Sequence, residues 1–150
     1  MKLAEALQER ADLNRRIAQL RSRLEMNATV QEGETTAEDP AELMKELNEC
    51  IEQLETLMVR INLTNCSTRV DGKSLTELIA RRDCLTLKIS AYRSLLDQAS
   101  SITQRVTMSE IKILRAVDVK ALQKQTDALS KELRQTDNTI QLANWQTELN

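Results

Sequence analysis

The apolar positions of this chain fall into long runs of three- and four-residue steps. Near the start, Ala6, Leu13, Ile17, Leu20 and Leu24 share one stripe, with Arg10 at a stripe position, and they predict a helix over about residues 2–27. A second seam, Leu43, Leu47, Cys50, Leu54, Leu57 and Ile61, alternates steps of four and three without a break, the mark of a coiled-coil-like helix, and is expected to end near Asn65. Leu75, Leu78, Arg82, Leu85, Ile89, Tyr92, Leu96 and Ala99 form a third, again with an arginine among apolar positions. The fourth runs Val119, Leu122, Thr126, Leu129, Leu133, Thr136, Ile140 and Ala143, and its helix should reach almost to Trp145.

Local signals punctuate these helices. The stretch VQEGETTAEDP, residues 30–40, reads as a solvated acidic loop, closed by Asp39 as a cap and Pro40 at the first position of the next helix. Asp71-Gly72 favours a tight turn with positive φ and predicts a small hairpin over about residues 67–74. Ser74-Leu75-Thr76-Glu77 is a capping box, so the third helix starts there, and Asp118 is suited to cap the fourth. Over residues 106–117 the heptad spacing lapses. Ile111-Lys112-Ile113 alternates as a strand would, whereas Ile111, Leu114 and Val117 suit a short helix equally well. The fold expected is mainly α: a single domain over residues 1–150, an antiparallel bundle of about four long helices with coiled-coil-like seams, and a small β element around residues 67–74 and 106–117.

Composition agrees and removes several classes of function. Two glycines, one proline, one Trp, one Tyr and no Phe in 150 residues leave a core of Leu, Ile, Ala and Val. The absence of histidine takes away the usual general base and the commonest metal ligand, so neither a catalytic constellation nor a metal or cofactor site is expected. Cys50, Cys66 and Cys84 lack C-x-x-C spacing and suggest neither disulfides nor zinc; reduced thiols in a cytoplasm fit them better. The start, MKLAEALQER, carries Glu5 and Glu9 and no apolar h-region, so secretion and membrane spanning are not expected. The N-x-[ST] triplets at Asn27, Asn62 and Asn65 then read as chance matches.

Charge is unevenly placed. Glu46, Glu49, Glu52 and Glu55 lie on the second helix, against Arg15, Arg16, Arg21 and Arg23 on the first and Arg81, Arg82, Lys88 and Arg93 on the third. Complementary flanks favour the second helix between the other two. Arg15, Arg16 and Arg23 could instead track phosphates of a nucleic acid, but a net charge of −2 and two aromatic residues argue against that use.

The segments ALQERADLNRRIAQLRSRL, RINLTN, LTELIARRD and VDVKALQKQTDALSKELR, with NW near the end, resemble a family of small bacterial helical proteins of uncharacterised function, some of whose members carry the label "septicolysin". The resemblance covers essentially the whole chain and implies no activity or residue role. The label implies a membrane-active cytolysin, which the sequence does not favour: it has no spanning segment and few of the aromatic residues that anchor proteins at a bilayer.

The stretch RINLTNCSTRV crowds short polar side chains into a place where the leucine seam should continue. Levelling residues in an antiparallel bundle at about 1.5 Å per residue brings Arg10, Asn62, Asn65, Arg82, Asp137 and Asn144 into one polar layer at one end. A guanidinium left in a seam needs a partner, and Asp137, Glu9 or Asp83 could supply it. The layer either specifies register or holds a carboxylate or phosphate between its arginines. The functions expected are, first, a cytoplasmic helical scaffold that assembles with itself; second, a binder of a small anion at this layer; third, the cytolysin of the label.

Overall fold

The computed structural model describes residues 1–101 and 111–150. Among the described residues four helices, α1 (Leu3–Met26), α2 (Pro40–Ser67), α3 (Leu75–Ser100) and α4 (Val119–Gln146), carry nearly all of the regular structure, with two short strands, β1 (Arg69–Val70) and β2 (Lys73–Ser74), between α2 and α3. The chain is therefore mainly α. Its residues gather into two compact units, Met1–Val70 with Ala143–Asn150, and Asp71–Leu142.

In the first unit α1 and α2 pack antiparallel. Ala6, Leu13 and Leu20 of α1 and Leu43, Cys50, Leu57 and Thr64 of α2 recur every seven residues and are buried, so the seam that the spacing predicted is the seam that forms. Charge flanks it as expected: Arg16 donates to Glu46 through Nε at 3.0 Å and Nη2 at 2.6 Å, and Arg23 grips Glu38 with Nε and Nη2. The acidic loop is solvated as expected, with residues 30–35 all exposed, and Arg23 supplies a base to Glu38. Asn27 joins α1 to the returning loop: its Nδ2 donates to the Arg23 carbonyl at 2.8 Å and its Oδ1 accepts from the Glu38 amide at 3.0 Å. Asp39 then caps α2, accepting from the Ala41 amide at 2.9 Å, with Pro40 at the first helical position.

The last residues of the chain close this unit. Residues 147–149 run antiparallel to residues 1–3: the Leu3 amide donates to the Thr147 carbonyl and the Leu149 amide to the Met1 carbonyl, both at 2.9 Å. Leu3 and Leu149 are buried by this arrangement. Glu148 receives the Met1 amino group at 3.2 Å and Lys2 Nζ at 2.5 Å.

Between α2 and α3, β1 and β2 pair around Asp71 and Gly72, whose φ angles of 50° and 82° are both positive, as a two-residue hairpin turn requires. In the second unit the Ser74–Glu77 capping box is complete, with the Glu77 amide on Ser74 Oγ at 3.2 Å and the Ser74 amide on Glu77 Oε2 at 2.7 Å. Asp118 caps α4 through the Ala121 amide at 3.0 Å. α3 and α4 are antiparallel and are tied by Arg81 to Glu132 at 2.5 Å, while their backbones stand further apart than those of α1 and α2.

The strand or short helix expected within residues 106–117 is absent from its described part. Residues 111–117 form neither, and residues 106–110 lie outside the described residues. Among the described residues β1 and β2 pair with each other and Ile111-Lys112-Ile113 joins neither, and alternation alone does not make a strand. Ile111 and Leu114 are instead 80% and 79% exposed. Arg115 holds the segment to the end of α3, donating from Nε to the Ala99 carbonyl at 3.0 Å, a cation at a helix C-terminus.

Two carboxyls of the first unit titrate abnormally. Arg23 holds Glu38 below the usual carboxylate range by hydrogen bonding, and Lys2 and the Met1 amine do the same for Glu148. A carboxyl whose folded pKa is depressed stabilises the fold above its unfolded pKa of about 4.3 and loses that contribution as pH falls through the folded value. Denaturant melts should therefore show the parent losing stability more steeply between about pH 5 and pH 3 than the Glu38→Gln/Glu148→Gln variant, whose curve is flatter over that window.

Candidate functional site

The six residues of the anticipated polar layer are distributed over both units. Arg10 is half-buried in α1, Asn62 is exposed and Asn65 half-buried on α2, and Asn144 is buried near the end of α4; these four belong to the first unit. Arg82 and Asp137 belong to the second. They face each other across α3 and α4, with Arg82 Nη1 3.9 Å from Asp137 Oδ1. Asp83 is the nearer partner, accepting from Arg82 Nε at 2.9 Å and lying 2.8 Å from Nη2. The arginine in the third seam is thus satisfied at the helix surface rather than desolvated in a core.

In RINLTNCSTRV the residue that matters most structurally is Thr64, not the two asparagines. It is 0% exposed; its Oγ1 donates to the Arg60 carbonyl at 2.8 Å and accepts from the Asn150 amide at 3.0 Å. Asn150 Nδ2 also donates to Ser67 Oγ at 3.0 Å, and Arg60 Nε donates to the Asn150 carbonyl at 2.7 Å. Three side chains of one α2 segment therefore receive the chain's last residue. A signal for this was present: Thr64 follows Leu57 and Ile61 at the seam's own spacing, so the seam continues through a hydroxyl instead of stopping.

Other features narrow the chemistry. A groove of about 410 Å³ in the first unit is lined by Glu9, Glu49 and Glu52 with Arg60, yet among the described residues no group of three His, Cys, Asp or Glu side chains is placed to hold a metal. Cys50 is buried as a small apolar seam residue, and Cys66 and Cys84 are exposed. No helix among the described residues is long and apolar enough to cross a membrane.

In the second unit the wider spacing of α3 and α4 leaves a groove between them. One part, about 430 Å³, is lined by Arg82, Thr86, Leu133, Arg134, Asp137 and Asn138. The neighbouring part, about 400 Å³, shares Thr86, Leu133 and Arg134 and adds Ile89, Arg93 and Ser130 among others. Arg82 and Asp137, side chains 32% and 46% exposed, stand at its rim. Ion pairs this open contribute under about 1 kcal/mol, so Arg82→Ala and Asp137→Ala should each destabilise the chain by no more than that in urea titrations. A loss near 3 kcal/mol in either variant would show a desolvated pair instead.

A crystal structure of a functionally unknown conserved protein from Corynebacterium diphtheriae is similar to the chain, with 41% sequence identity, a TM-score of 0.94, and coverage of 100% of this chain and 99% of that one. No curated protein matches the chain. The model of one protein family matches residues 10–149, and the chain belongs to that family, DUF6847, a family of unknown function.

Proposed function

We propose that this chain is a cytoplasmic helical interaction protein that pairs with a second copy of itself through the outer face of α3. One observation carries the reading: α3 has two apolar seams and only one is covered. Leu75, Leu85, Ile89 and Leu96 are buried, whereas Ala80, Cys84, Leu87, Ala91 and Leu95 follow each other in steps of four and three along an exposed face, with Leu87 75% and Leu95 42% exposed. An exposed seam at this spacing is what a coiled-coil-like contact buries, and its small residues let a facing helix approach.

A second copy is the occupant that suits it. A helix of 26 residues is about 39 Å long, and a strip about 10 Å wide along it supplies roughly 400 Å² per partner, half of the roughly 800 Å² typical of a stable pair. Ile111, Ile113 and Leu114, held at the end of α3 by Arg115, extend the apolar surface beyond the helix. A two-fold axis uses the same patch on both copies, so one uncovered face suffices to close the assembly. Cys50, Cys66 and Cys84 form no disulfide, which is in keeping with a reducing compartment.

Light scattering on the purified chain should give the mass of a dimer at high micromolar concentration. Leu87→Glu/Leu95→Glu should weaken pairing by about 3 kcal/mol, roughly 100-fold in Kd, with helicity unchanged, and Leu114→Asp should weaken it less. A parent chain that stays monomeric, or a dimer indifferent to the α3 changes, would overturn the proposal.

A further inference from the structure

The groove between α3 and α4 lies on another side of α3 from the exposed seam, and its lining includes polar side chains that no other described residue engages. Arg81 is taken by Glu132 and Arg82 by Asp83, but among the described residues neither Arg93 nor Arg134 pairs with a carboxylate. Both line the same part of the groove, one from each helix. Thr86 and Ser130 donate their hydroxyls to the carbonyls of Arg82 and Thr126 at 3.0 and 2.9 Å. Ser90 and Ser94, on the same wall as Arg93, donate to nothing among the described residues. Two guanidiniums and two hydroxyls, all on exposed residues and without a partner among the described residues, thus line one groove.

We infer that this groove binds a small hydroxylated organic phosphate, its phosphate seated between Arg93 and Arg134. Two guanidiniums match a dianion, and the forked donors of arginine, joined by two hydroxyls, match the three outer oxygens of a phosphate monoester better than the two of a carboxylate. The acidic lining residues fix the rest of the ligand. Asp97, beside the arginines, and Asp137, towards the other end, are acceptors that disfavour a bare polyanion and favour hydroxyls, while Ile89 and Leu133 offer apolar surface to a carbon skeleton. From Arg82 to Asp97 the groove runs along fifteen residues of α3, about 22 Å, ample for a sugar phosphate or a mononucleotide.

The test is the melting temperature of the full chain at constant ionic strength, titrated with inorganic phosphate, a hexose 6-phosphate, adenosine monophosphate and citrate. The organic phosphates should raise Tm in a saturable manner, at lower concentration than inorganic phosphate, and the better of the two identifies the ligand's skeleton. Arg93→Gln/Arg134→Gln should weaken the apparent affinity by about tenfold or more, and Ser90→Ala/Ser94→Ala, which leaves the charge intact, by a smaller factor. Arg15→Gln/Arg21→Gln, which removes the same charge from α1, should leave the response as it is. The inference is overturned if no phosphate shifts Tm, if the Arg93/Arg134 variant responds as the parent does, or if citrate stabilises as well as the organic phosphates.

Discussion

The buried hydroxyl of Thr64 is the constraint on which the first unit depends. A hydroxyl with no access to water must find its partners within the protein, and this one donates to its own helix and accepts from Asn150, 86 positions along the chain. With Asn150 fixed, residues 147–149 lie beside residues 1–3, Leu3 and Leu149 are covered together, and Glu148 reaches the Met1 amine and Lys2. α4 begins in the second unit and its last turn belongs to the first, so it is also the covalent route by which the tail arrives. What looked like an interruption of a leucine seam is the fastening that lets the unit close.

Charge follows a similar economy. Arg16 and Arg23, which on sequence grounds could have faced a nucleic acid, are engaged by Glu46 and Glu38 on the facing helix and its loop. Their guanidiniums are held protonated above their ordinary pKa chiefly by those hydrogen bonds. In the second unit Arg81 is engaged by Glu132 of α4 and Arg82 by its neighbour Asp83. Arg93 and Arg134, also exposed, pair with no carboxylate among the described residues and line one groove.

The parts of the fold legible in the sequence are those whose causes are local. The Asp39-Pro40 start, the Ser74–Glu77 box and the Asp71-Gly72 turn each depend on residues within four positions, and the seven-residue recurrence of Ala6, Leu13 and Leu20 depends only on helix periodicity. The tail could not be read in this way, because nothing near Thr147 states that its partner is Leu3. Residues 111–117 misled because β-branched alternation records a preference and not the presence of an edge to pair with. The grooves of the second unit were not legible in the sequence, because they depend on how α3 and α4 are spaced. An arginine in the third seam drew attention to Arg82, yet Arg82 is satisfied by its neighbour Asp83, while Arg93 and Arg134 became prominent only when the spacing of α3 and α4 was known. The second α3 seam was hidden because the first accounted so fully for the helix.

Hydrogen exchange resolved by residue tests the closure of the first unit most directly. If residues 147–150 are an integral part of it, the amides of Leu3 and Leu149, bonded across to Thr147 and Met1, exchange as slowly as those of Leu13 and Leu57 in the α1–α2 seam, and their protection is lost together with that of the seam when Thr64 is changed to Val. Leu3 and Leu149 amides that exchange freely while the seam stays protected would contradict the account.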